Sequence, residues 1–232
     1  FVVSVMPCIA KKFERQREEM KNDELDNVDA VITTRELARM IKQGGIEFTE
    51  LEDSEFDSPM GEATGAGAIF GTTGGVMEAA LRTAYESLTG EELKKLDFEQ
   101  VRGKEGIKRA TIKIGDIDVK VAVAHGLGNA QTIMEEIKNG KADYQFVEIM
   151  ACPGGCIMGG GQPIKTAKVR ATKDVRKLRA DALYTIDEKS KIRKSHENPV
   201  IKQLYQEYLV EPGGHKAHEL LHTHYVKREK YQ

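Results

Sequence analysis

The chain has 232 residues, of which 40% are hydrophobic and 31% charged, and its formal net charge is −2. This balance is typical of a globular protein of one large or two small domains, and it lacks the basic excess of a nucleic-acid-binding surface. Every apolar stretch is far shorter than the ~18–20 residues that a membrane-spanning helix needs. We therefore expect neither nucleic acid nor a membrane span among the interactions of this chain.

The first six residues, FVVSVM, predict a buried β-strand, because five of the six are apolar. They lack the basic start and the small-residue cleavage site of a signal peptide. Because a buried strand seldom opens a polypeptide, we expect these residues to continue a longer chain or one half of a split one.

The remaining elements alternate between apolar strands and helices that close at glycine, the order typical of an α/β fold with parallel sheets. Thr33 or Thr34 can cap the first long helix, and Gly44–Gly45 can end it. Two alternating runs around Gly115–Asp116 predict a β-hairpin. The predicted elements after the first strand are, in chain order, helix 9–20, strand 28–34, helix 35–43, loop 50–67, helix 74–90, hairpin 110–126, helix 129–140, strand 144–150, helix 172–191, helix 198–214 and a final segment 215–225.

The C-terminal residues differ in composition from the rest of the chain, because they are rich in Tyr, His, Lys and Glu. We place a junction at Asn198–Pro199. The predicted organisation is an α/β domain over residues 1–195, with parallel sheets flanked by helices, followed by a C-terminal helical strap over residues 196–232.

The three cysteines follow predicted strand ends. Cys8 comes after the first strand, and Cys152 and Cys156 come after the strand 144–150. Because ligands bind at the carboxyl ends of parallel strands, we expect the three thiols to point into one region. An odd number of cysteines disfavours a disulfide scaffold and favours a reducing, cytoplasmic setting. The alternative for any single cysteine is a small buried hydrophobic residue.

Five glycines accompany the cysteine pair in the segment ACPGGCIMGGGQP. At Gly154, Gly155 and Gly159–Gly161 the backbone lacks a Cβ, so it can approach a bulky inorganic body closely. Thiolates are soft ligands that select iron–sulfur clusters, zinc or Cu(I), and the C-x3-C spacing differs from the C-x2-C of a zinc ribbon. A cubane cluster usually takes four thiolates, so one ligand lies upstream of this sequence or is not a cysteine.

Both cysteine segments resemble motifs of the [FeFe]-hydrogenases. MPCIAKKFE (6–14) and EIMACPGGCIMGGGQP (148–163) are similar to the second and third cysteine motifs of that family. GAGAIFGTTGGVMEAALR (65–82) is similar to the segment between them, and LYQEYLVEPGGHKAHELLHTHY (204–225) resembles the region that forms a separate small subunit in some members. The resemblance covers essentially the whole chain and implies reversible oxidation of dihydrogen, or proton reduction, at an H-cluster.

The resemblance also implies roles for the cysteines and their neighbours. Cys8, Cys152 and Cys156 would ligate the [4Fe-4S] part of the H-cluster. Cys156 would also bridge to the diiron subcluster, which bears CO, cyanide and a dithiolate. Lys11 would donate to an iron-bound cyanide, a role that suits a compact ammonium donor, and Glu14 would orient Lys11. Without the adjacent cysteine motif, Lys11 would be taken for a solvated helix lysine.

Further residues around the cysteines have implied roles in shaping the site. Met6 and Met150 each precede a cysteine by two residues and would form a soft, apolar wall against the diiron subcluster. Phe70 and Gly71 match a segment that packs near the distal iron. Gly154–Gly155 would let the backbone approach the cluster. Read without the resemblance, each methionine is a core residue.

The family's first motif, Thr-Ser-Cys-Cys-Pro, is absent from the 232 residues. It supplies one cluster ligand and the cysteine that relays protons. We therefore expect an upstream segment or a partner chain to supply the fourth cysteine, so that this chain alone is an incomplete enzyme. The resemblance also implies an electron carrier, such as ferredoxin or a diaphorase subunit.

Three other functions are open on the sequence. A Narf-like iron–sulfur assembly protein, or a sensory protein without hydrogenase turnover, would share the scaffold. HELLH (218–222) matches the H-E-x-x-H helix of zinc peptidases, with Glu219 as general base, although chance matches to so short a motif are common. GAGAIFG (65–71) is similar to a dinucleotide-binding loop, but its glycine spacing is wrong and a loop precedes it.

Overall fold

The computed structural model describes residues 1–22, 24–58, 60–103 and 105–227. Strands and helices mix along the chain, which confirms the α/β class. The strands are β1 (Val3–Met6), β2 (Lys21–Asn22), β3 (Leu25–Asp26), β4 (Ala30–Thr33), β5 (Ile107–Ile114), β6 (Ile117–His125) and β7 (Phe146–Met150). The α-helices are α1 (Lys11–Glu14), α2 (Thr34–Gln43), α3 (Gly65–Ile69), α4 (Gly75–Thr89), α5 (Leu127–Lys138), α6 (Ala167–Thr172), α7 (Val175–Lys189), α8 (Pro199–Leu204) and α9 (His215–Leu221).

The first β–loop–α units form a small parallel sheet. β1 pairs with β4 in parallel, with Met6 opposite Thr33. Thr33 then begins α2 through a capping box: its hydroxyl accepts from the Glu36 N–H, and the Glu36 carboxylate accepts from the Thr33 N–H at 2.7 Å. The strand therefore runs directly into a helix, and the loop after β1 lies at the carboxyl end of the sheet.

A second sheet has the order β5-β6-β7. β5 and β6 form the predicted hairpin, which turns at Gly115 with φ +56°, and β7 adds to β6 in parallel. β6 lies between its two partners, and α4 packs on the sheet. The core that they enclose is apolar and includes Met77, Leu81, Val101, Ile112, Ile114, Val121 and Val123.

A buried ionic network joins α4 to α7. The Arg82 guanidinium, which is fully buried, donates to both carboxylate oxygens of Asp187 at 2.8 Å and to Glu78 at 2.8 Å. Around them Arg102 donates to Glu78, and Arg193 donates to Asp187. Buried charges of this kind are retained only when they are paired and hydrogen-bonded.

Three local predictions were wrong. The strand predicted in FVVSVM forms at Val3–Met6 but is not buried: Phe1 is 97% exposed, and Val3 and Val5 are 48% and 43% exposed. The predicted helix 9–20 is a single turn, α1, because Ile9 and Phe13 remain exposed and the segment buries little apolar surface that would stabilise a helix. The predicted loop 50–67 ends in the helix α3, which Thr64 caps by accepting from the Gly67 N–H. GAGAIFG thus forms a short helix rather than a nucleotide-binding loop.

The tail lies along the body of the protein. The predicted helix 198–214 is α8 followed by a π-helical turn, Tyr205–Leu209, and it ends at Val210 with φ +74°. Further on, the Tyr225 ring lies 5.4 Å from the Arg17 guanidinium, so the tail reaches back to the first β–loop–α unit. The last five residues of the predicted strap, 228–232, lie outside the described residues.

Within the described ranges, every helix is too short or too polar to cross a lipid bilayer.

Candidate metal centre

The two cysteine motifs are packed backbone against backbone. The Gly161 N–H donates to the carbonyl oxygen of Pro7, the residue before Cys8, at 2.8 Å. A Cβ at Gly159 would collide with the same carbonyl group. Only glycine allows this approach, so the glycine run after Cys156 brings the first cysteine motif against the second.

The three thiols are free of disulfides and lie within electrostatic reach of one another. Burial, and then the neighbouring Cys8, raises the pKa of the Cys152 thiol. Burial raises the pKa of Cys156 as well, followed by Cys152 and Cys8, whereas the Lys11 ammonium opposes the shift. The structure therefore gathers three thiols and one ammonium in a single region, and any metal bound there would have to displace thiol protons.

The Cys152–Cys156 loop is built on glycines in the left-handed region. Gly154 and Gly155 have φ values of +91° and +99°. A Cβ at Gly155 would lie 2.7 Å from both the Gly71 oxygen and the Thr73 nitrogen. Two backbone hydrogen bonds close the contact: the Thr73 N–H donates to the Gly154 oxygen, and the Ile157 N–H donates to the Gly71 oxygen. Gly71 and the cysteine loop are thus in direct contact.

Lys11 and Glu14 form an ion pair on α1. The Lys11 side chain remains 45% exposed and that of Glu14 32% exposed, so this ammonium is accessible beside the thiols. The next lysine differs: the Lys12 ammonium is bound to Glu36 on α2 at 2.8 Å. Two adjacent lysines therefore have different surroundings, and only Lys11 contributes to the electrostatics of Cys156.

The predicted apolar residues of the site lie at strand and helix ends. Met6 is the last residue of β1 and Met150 is the last residue of β7, and both are half-buried. Phe70 follows α3 directly and is 45% exposed. Met6 and Met150 each lie two residues before a cysteine, whereas Phe70 is distant in sequence and precedes Gly71, which contacts the cysteine loop.

Glu148, on β7, is a residue whose importance the sequence analysis missed. Its carboxylate is buried and accepts from the N–H groups of Gly74 at 2.6 Å and Met77 at 2.8 Å, at the start of α4. Burial raises its pKa, although these backbone bonds and the Lys108 ammonium oppose the shift. A single acid within an apolar strand is the signal that could have identified it.

Arg35 was also missed. It begins α2 and binds the glycine run twice: its guanidinium donates to the Gly160 oxygen at 2.7 Å, and its N–H donates to the Gly161 oxygen at 3.2 Å. No sequence pattern marks this arginine, because its partners lie far along the chain.

The zinc-peptidase reading receives no support from the geometry. His218 and His222 stack with ring centroids 4.4 Å apart, but His222 lies beyond the end of α9 and Glu219 is exposed. In the part of the chain that the structure describes, the one cluster whose ligand atoms lie close enough together for a single metal ion, within 4.8 Å of one another, is Glu86, His196 and Glu197.

That cluster already contains a cation. The Lys194 ammonium lies 2.7 Å from Glu86 and 3.0 Å from Glu197, and the His196 ring bonds to Glu86 through Nε2. A metal ion would have to displace Lys194, so we assign this cluster a structural role.

Comparison with known proteins identifies two family matches. The family described as "Iron only hydrogenase large subunit, C-terminal domain" matches residues 1–160, and the family "Iron hydrogenase small subunit" matches residues 173–228. The NADP-reducing hydrogenase subunit HndD of Solidesulfovibrio fructosivorans is 52% identical over 99% of this chain and 38% of its own length. Iron hydrogenase 1 of Clostridium pasteurianum is 50% identical over 98% of this chain and 40% of its own length.

More distant relatives and solved structures extend the comparison. Protein NAR1 of Arabidopsis thaliana is 35% identical over 96% of this chain and 49% of its own length. A structure of apo [FeFe]-hydrogenase HydA1 from Chlamydomonas reinhardtii superposes with a TM-score of 0.77 at 47% identity, covering 97% of this chain and 62% of that one. This chain spans about two fifths of the length of its hydrogenase relatives. The match over residues 1–160 shows that the chain belongs to the family of the iron-only hydrogenase large subunit, C-terminal domain.

Proposed function

We propose that this chain holds an H-cluster, and that the protein containing it catalyses the reversible oxidation of dihydrogen. The observation that carries the proposal is the meeting of three free thiols, from two motifs far apart in sequence, in one glycine-lined region. Family membership and the hydrogenase relatives support the same chemistry.

The donor set fits an iron–sulfur cluster. Cys8, Cys152 and Cys156 offer soft sulfur ligands, which favour iron–sulfur clusters over the harder cations. Gly154 and Gly155, with φ values of +91° and +99°, shape the loop between two of these cysteines, and a Cβ at either position would collide with Arg176 or with the Gly71 and Thr73 backbone. When bound, the H-cluster supplies an electron reservoir and an open iron position for dihydrogen.

The residues around the thiols are proposed to orient and shield the bound group. Lys11 would present its ammonium as a charged hydrogen-bond donor to an iron-bound cyanide, and Glu14 would restrict the rotamers of Lys11 through their ion pair. Met6, Met150 and Phe70 would present apolar surface that keeps water from the reacting atoms.

The proposed function calls for partners for two reasons: the cubane needs a fourth ligand, and the electrons of the reaction need a carrier. Three cysteines leave one position of a cubane to another ligand, and we propose that an upstream segment or a partner chain supplies it. Electrons would pass to a ferredoxin or to a diaphorase subunit, in line with the relative named as an NADP-reducing hydrogenase subunit. The cytoplasmic location stays a prediction from the cysteine content.

Infrared spectroscopy of the natural full-length protein, matured with its cofactor, tests the proposal. We expect bands from iron-bound CO and cyanide, together with hydrogen evolution from a reduced dye. Cys8→Ala should remove both signals. If a matured wild-type protein with bound iron gives neither bands nor hydrogen, the hydrogenase proposal is wrong.

The two adjacent lysines provide a matched pair for the role of Lys11. Lys11→Met and Lys12→Met remove the same charge from side chains of similar exposure, 45% and 42%. Only Lys11→Met should shift the cyanide bands and lower turnover, because Lys12 is bound to Glu36. Equal spectra for the two variants would contradict the assignment of Lys11.

A second candidate function is iron–sulfur cluster assembly, because a relative named as a cytosolic Fe-S cluster assembly factor is 33% identical over 98% of this chain. Its identity of 33% is lower than the 50% and 52% of the hydrogenases, which favours the hydrogenase function. An ordinary iron–sulfur absorption spectrum without CO or cyanide bands after maturation would favour assembly.

A further inference from the structure

One face of α7 lies along the back of the cysteine loop. Its contact residues recur at helical spacing, three or four positions apart, so they share a single face. They are Arg176, Arg179, Leu183, Tyr184 and Asp187.

These side chains contact both halves of the glycine-lined region. A Cβ at Gly154 would lie 2.6 Å from the Arg176 side chain, and a Cβ at Gly71 would lie 2.6 Å from the Leu183 side chain. Further along, Asp187 binds Arg82 of α4. The helix therefore backs the site over its whole length.

Arg179 makes the most specific of these contacts. Its Nη1 donates to the Ile157 carbonyl oxygen at 2.7 Å, and its Nη2 donates to the Pro163 carbonyl oxygen at 2.8 Å. Nη1 also lies 3.7 Å from the Met158 sulfur. One planar guanidinium thus joins the residue after Cys156 to the end of the glycine run, which closes the loop into an arc.

A second arginine, which precedes the arc in the sequence, also donates to this arc. Arg35 of α2 donates to the Gly160 oxygen at 2.7 Å, between the two carbonyls that Arg179 binds. The glycines of the arc have little conformational preference of their own. Hydrogen bonds from outside the arc therefore add to its short 3-10 turn, Cys156–Met158, in restricting the backbone that carries Cys156.

We infer that Arg179 is a positioning residue for the metal centre: through the carbonyl groups of Ile157 and Pro163 it fixes the orientation of Cys156. Arg179 belongs to the segment 173–228 that matches the small-subunit family. That segment therefore takes part in the metal centre as well as in the fold. The inference rests on the proposed function in one respect, namely that Cys156 is a cluster ligand.

Hydrogen exchange tests the positioning role without any cluster. In the natural full-length protein, Arg179→Ala should speed amide exchange over residues 156–163 by about tenfold or more, because hydrogen bonds from a charged donor are lost. Arg179→Lys should give an intermediate rate, since an ammonium lacks the fork that joins two carbonyls. Lys177→Ala is the matched control, because Lys177 lies on the same helix and its exposed side chain pairs with the exposed Asp181.

Cluster retention tests the link to the metal centre. In protein loaded with iron and sulfide, release of iron to a chelator should be about 10- to 100-fold faster for Arg179→Ala than for Lys177→Ala. The electron paramagnetic resonance spectrum of the reduced cluster should also change for Arg179→Ala alone. If Arg179→Ala does not fold, Arg179→Lys carries both measurements, with intermediate values expected.

The two proposals fail in different ways. A wild-type protein that never retains a cluster overturns the proposed function, whereas the exchange result for residues 156–163 still decides the role of Arg179. If wild type retains its cluster and the Arg179 variants match Lys177→Ala in exchange and in iron release, the positioning role is wrong.

Discussion

The buried pair between Arg82 and Asp187 offers a test of how strongly α7 is held to the body of the protein. Asp187 is 1% exposed and accepts two hydrogen bonds from Arg82, both 2.8 Å long, and one from Arg193, 2.6 Å long. Burial alone would raise the pKa of Asp187, but the two guanidinium groups outweigh it and lower that pKa. The perturbation is Asp187→Ala.

The expected loss of stability depends on which hydrogen bonds Arg82 and Arg193 keep when Asp187 is removed. Removing one member of a buried ion pair costs about 3–5 kcal/mol, because the other charge stays buried. Arg82 keeps Glu78 and the Leu96 and Arg193 carbonyls, and the Arg193 guanidinium keeps Asp97. We therefore expect about 3 kcal/mol for Asp187→Ala, the lower end of that range. Asp187→Asn keeps one carbonyl acceptor and should cost about 2 kcal/mol.

Native-state hydrogen exchange of the α7 amides measures the free energy of opening this helix, which is the quantity that Asp187 affects. The control is Asp181→Asn on the same helix, which breaks an exposed pair with Lys177 that is worth at most about 1 kcal/mol. Asp187→Ala should also speed exchange in the loop that Arg179 holds. If Asp187→Ala costs no more than Asp181→Asn, the network does not attach α7, and the magnitude derived above is wrong.

Three further outcomes follow from the same structure. Gly155→Ala should lower the free energy of unfolding by about 1–3 kcal/mol, because φ is +99° and the new Cβ would meet backbone atoms 2.7 Å away. Gly140→Ala is the control: its φ is +66°, its Cβ would lie in open space, and it should cost less in the same denaturant experiment. Glu148→Gln should cost about 1–3 kcal/mol, since an amide replaces the charged acceptor of two N–H groups; a neutral effect on urea unfolding would contradict this. Hydrogen bonds, chiefly from Lys194, lower the pKa of Glu86 from 4.5 to about 2. The stability that Glu86 contributes should therefore be complete above pH 4.5 and disappear as the pH falls towards 2, and Glu86→Gln should flatten the stability profile in that window.

Elements with strong local signals were predicted correctly. Thr33, one of the two predicted caps, begins α2, and the hairpin turns at Gly115, as the sequence indicates. The long amphipathic pattern of α4 gives a helix that ends at Gly90, in the left-handed conformation that favours glycine. In each case, residues within a few positions of one another carry the information.

Elements that depend on distant contacts were predicted less well. α3 contains glycines that favour a loop, yet its Gly65 N–H donates to the Ile192 oxygen and Ile69 is fully buried. The segment 9–20 has helix-forming residues, but Phe13 within α1 is exposed, so packing does not extend the helix. Composition and periodicity do not show where tertiary contacts override the helix or loop preference of a segment.

The candidate site likewise contains residues that the sequence points to and residues that only the folded structure reveals. The three cysteines could be proposed as sulfur ligands because Cys152 and Cys156 stand among glycines in a specific pattern, and because the predicted strand ends placed Cys8 near them. Arg35 and Arg179 lie in ordinary polar helices, and their partners are backbone carbonyls that any residue could supply. Their contribution becomes apparent only from the folded structure.

The glycines that let the two cysteine motifs pack backbone against backbone also leave the cysteine loop without conformational preferences of its own, since glycine populates many backbone conformations. Ordering such a loop costs about 1–2 kcal/mol per residue, which must be offset by contacts elsewhere. The structure provides these contacts from three elements: Arg35 on α2, Arg179 on α7, and the start of α4, which the Glu148 carboxylate holds. Because α7 is in turn attached through the buried pair of Arg82 and Asp187, a substitution in that pair should loosen Cys156 from a distance. The geometry of the metal centre is therefore a property of how the large-subunit-like and small-subunit-like segments pack, and the cysteine motifs alone do not determine it.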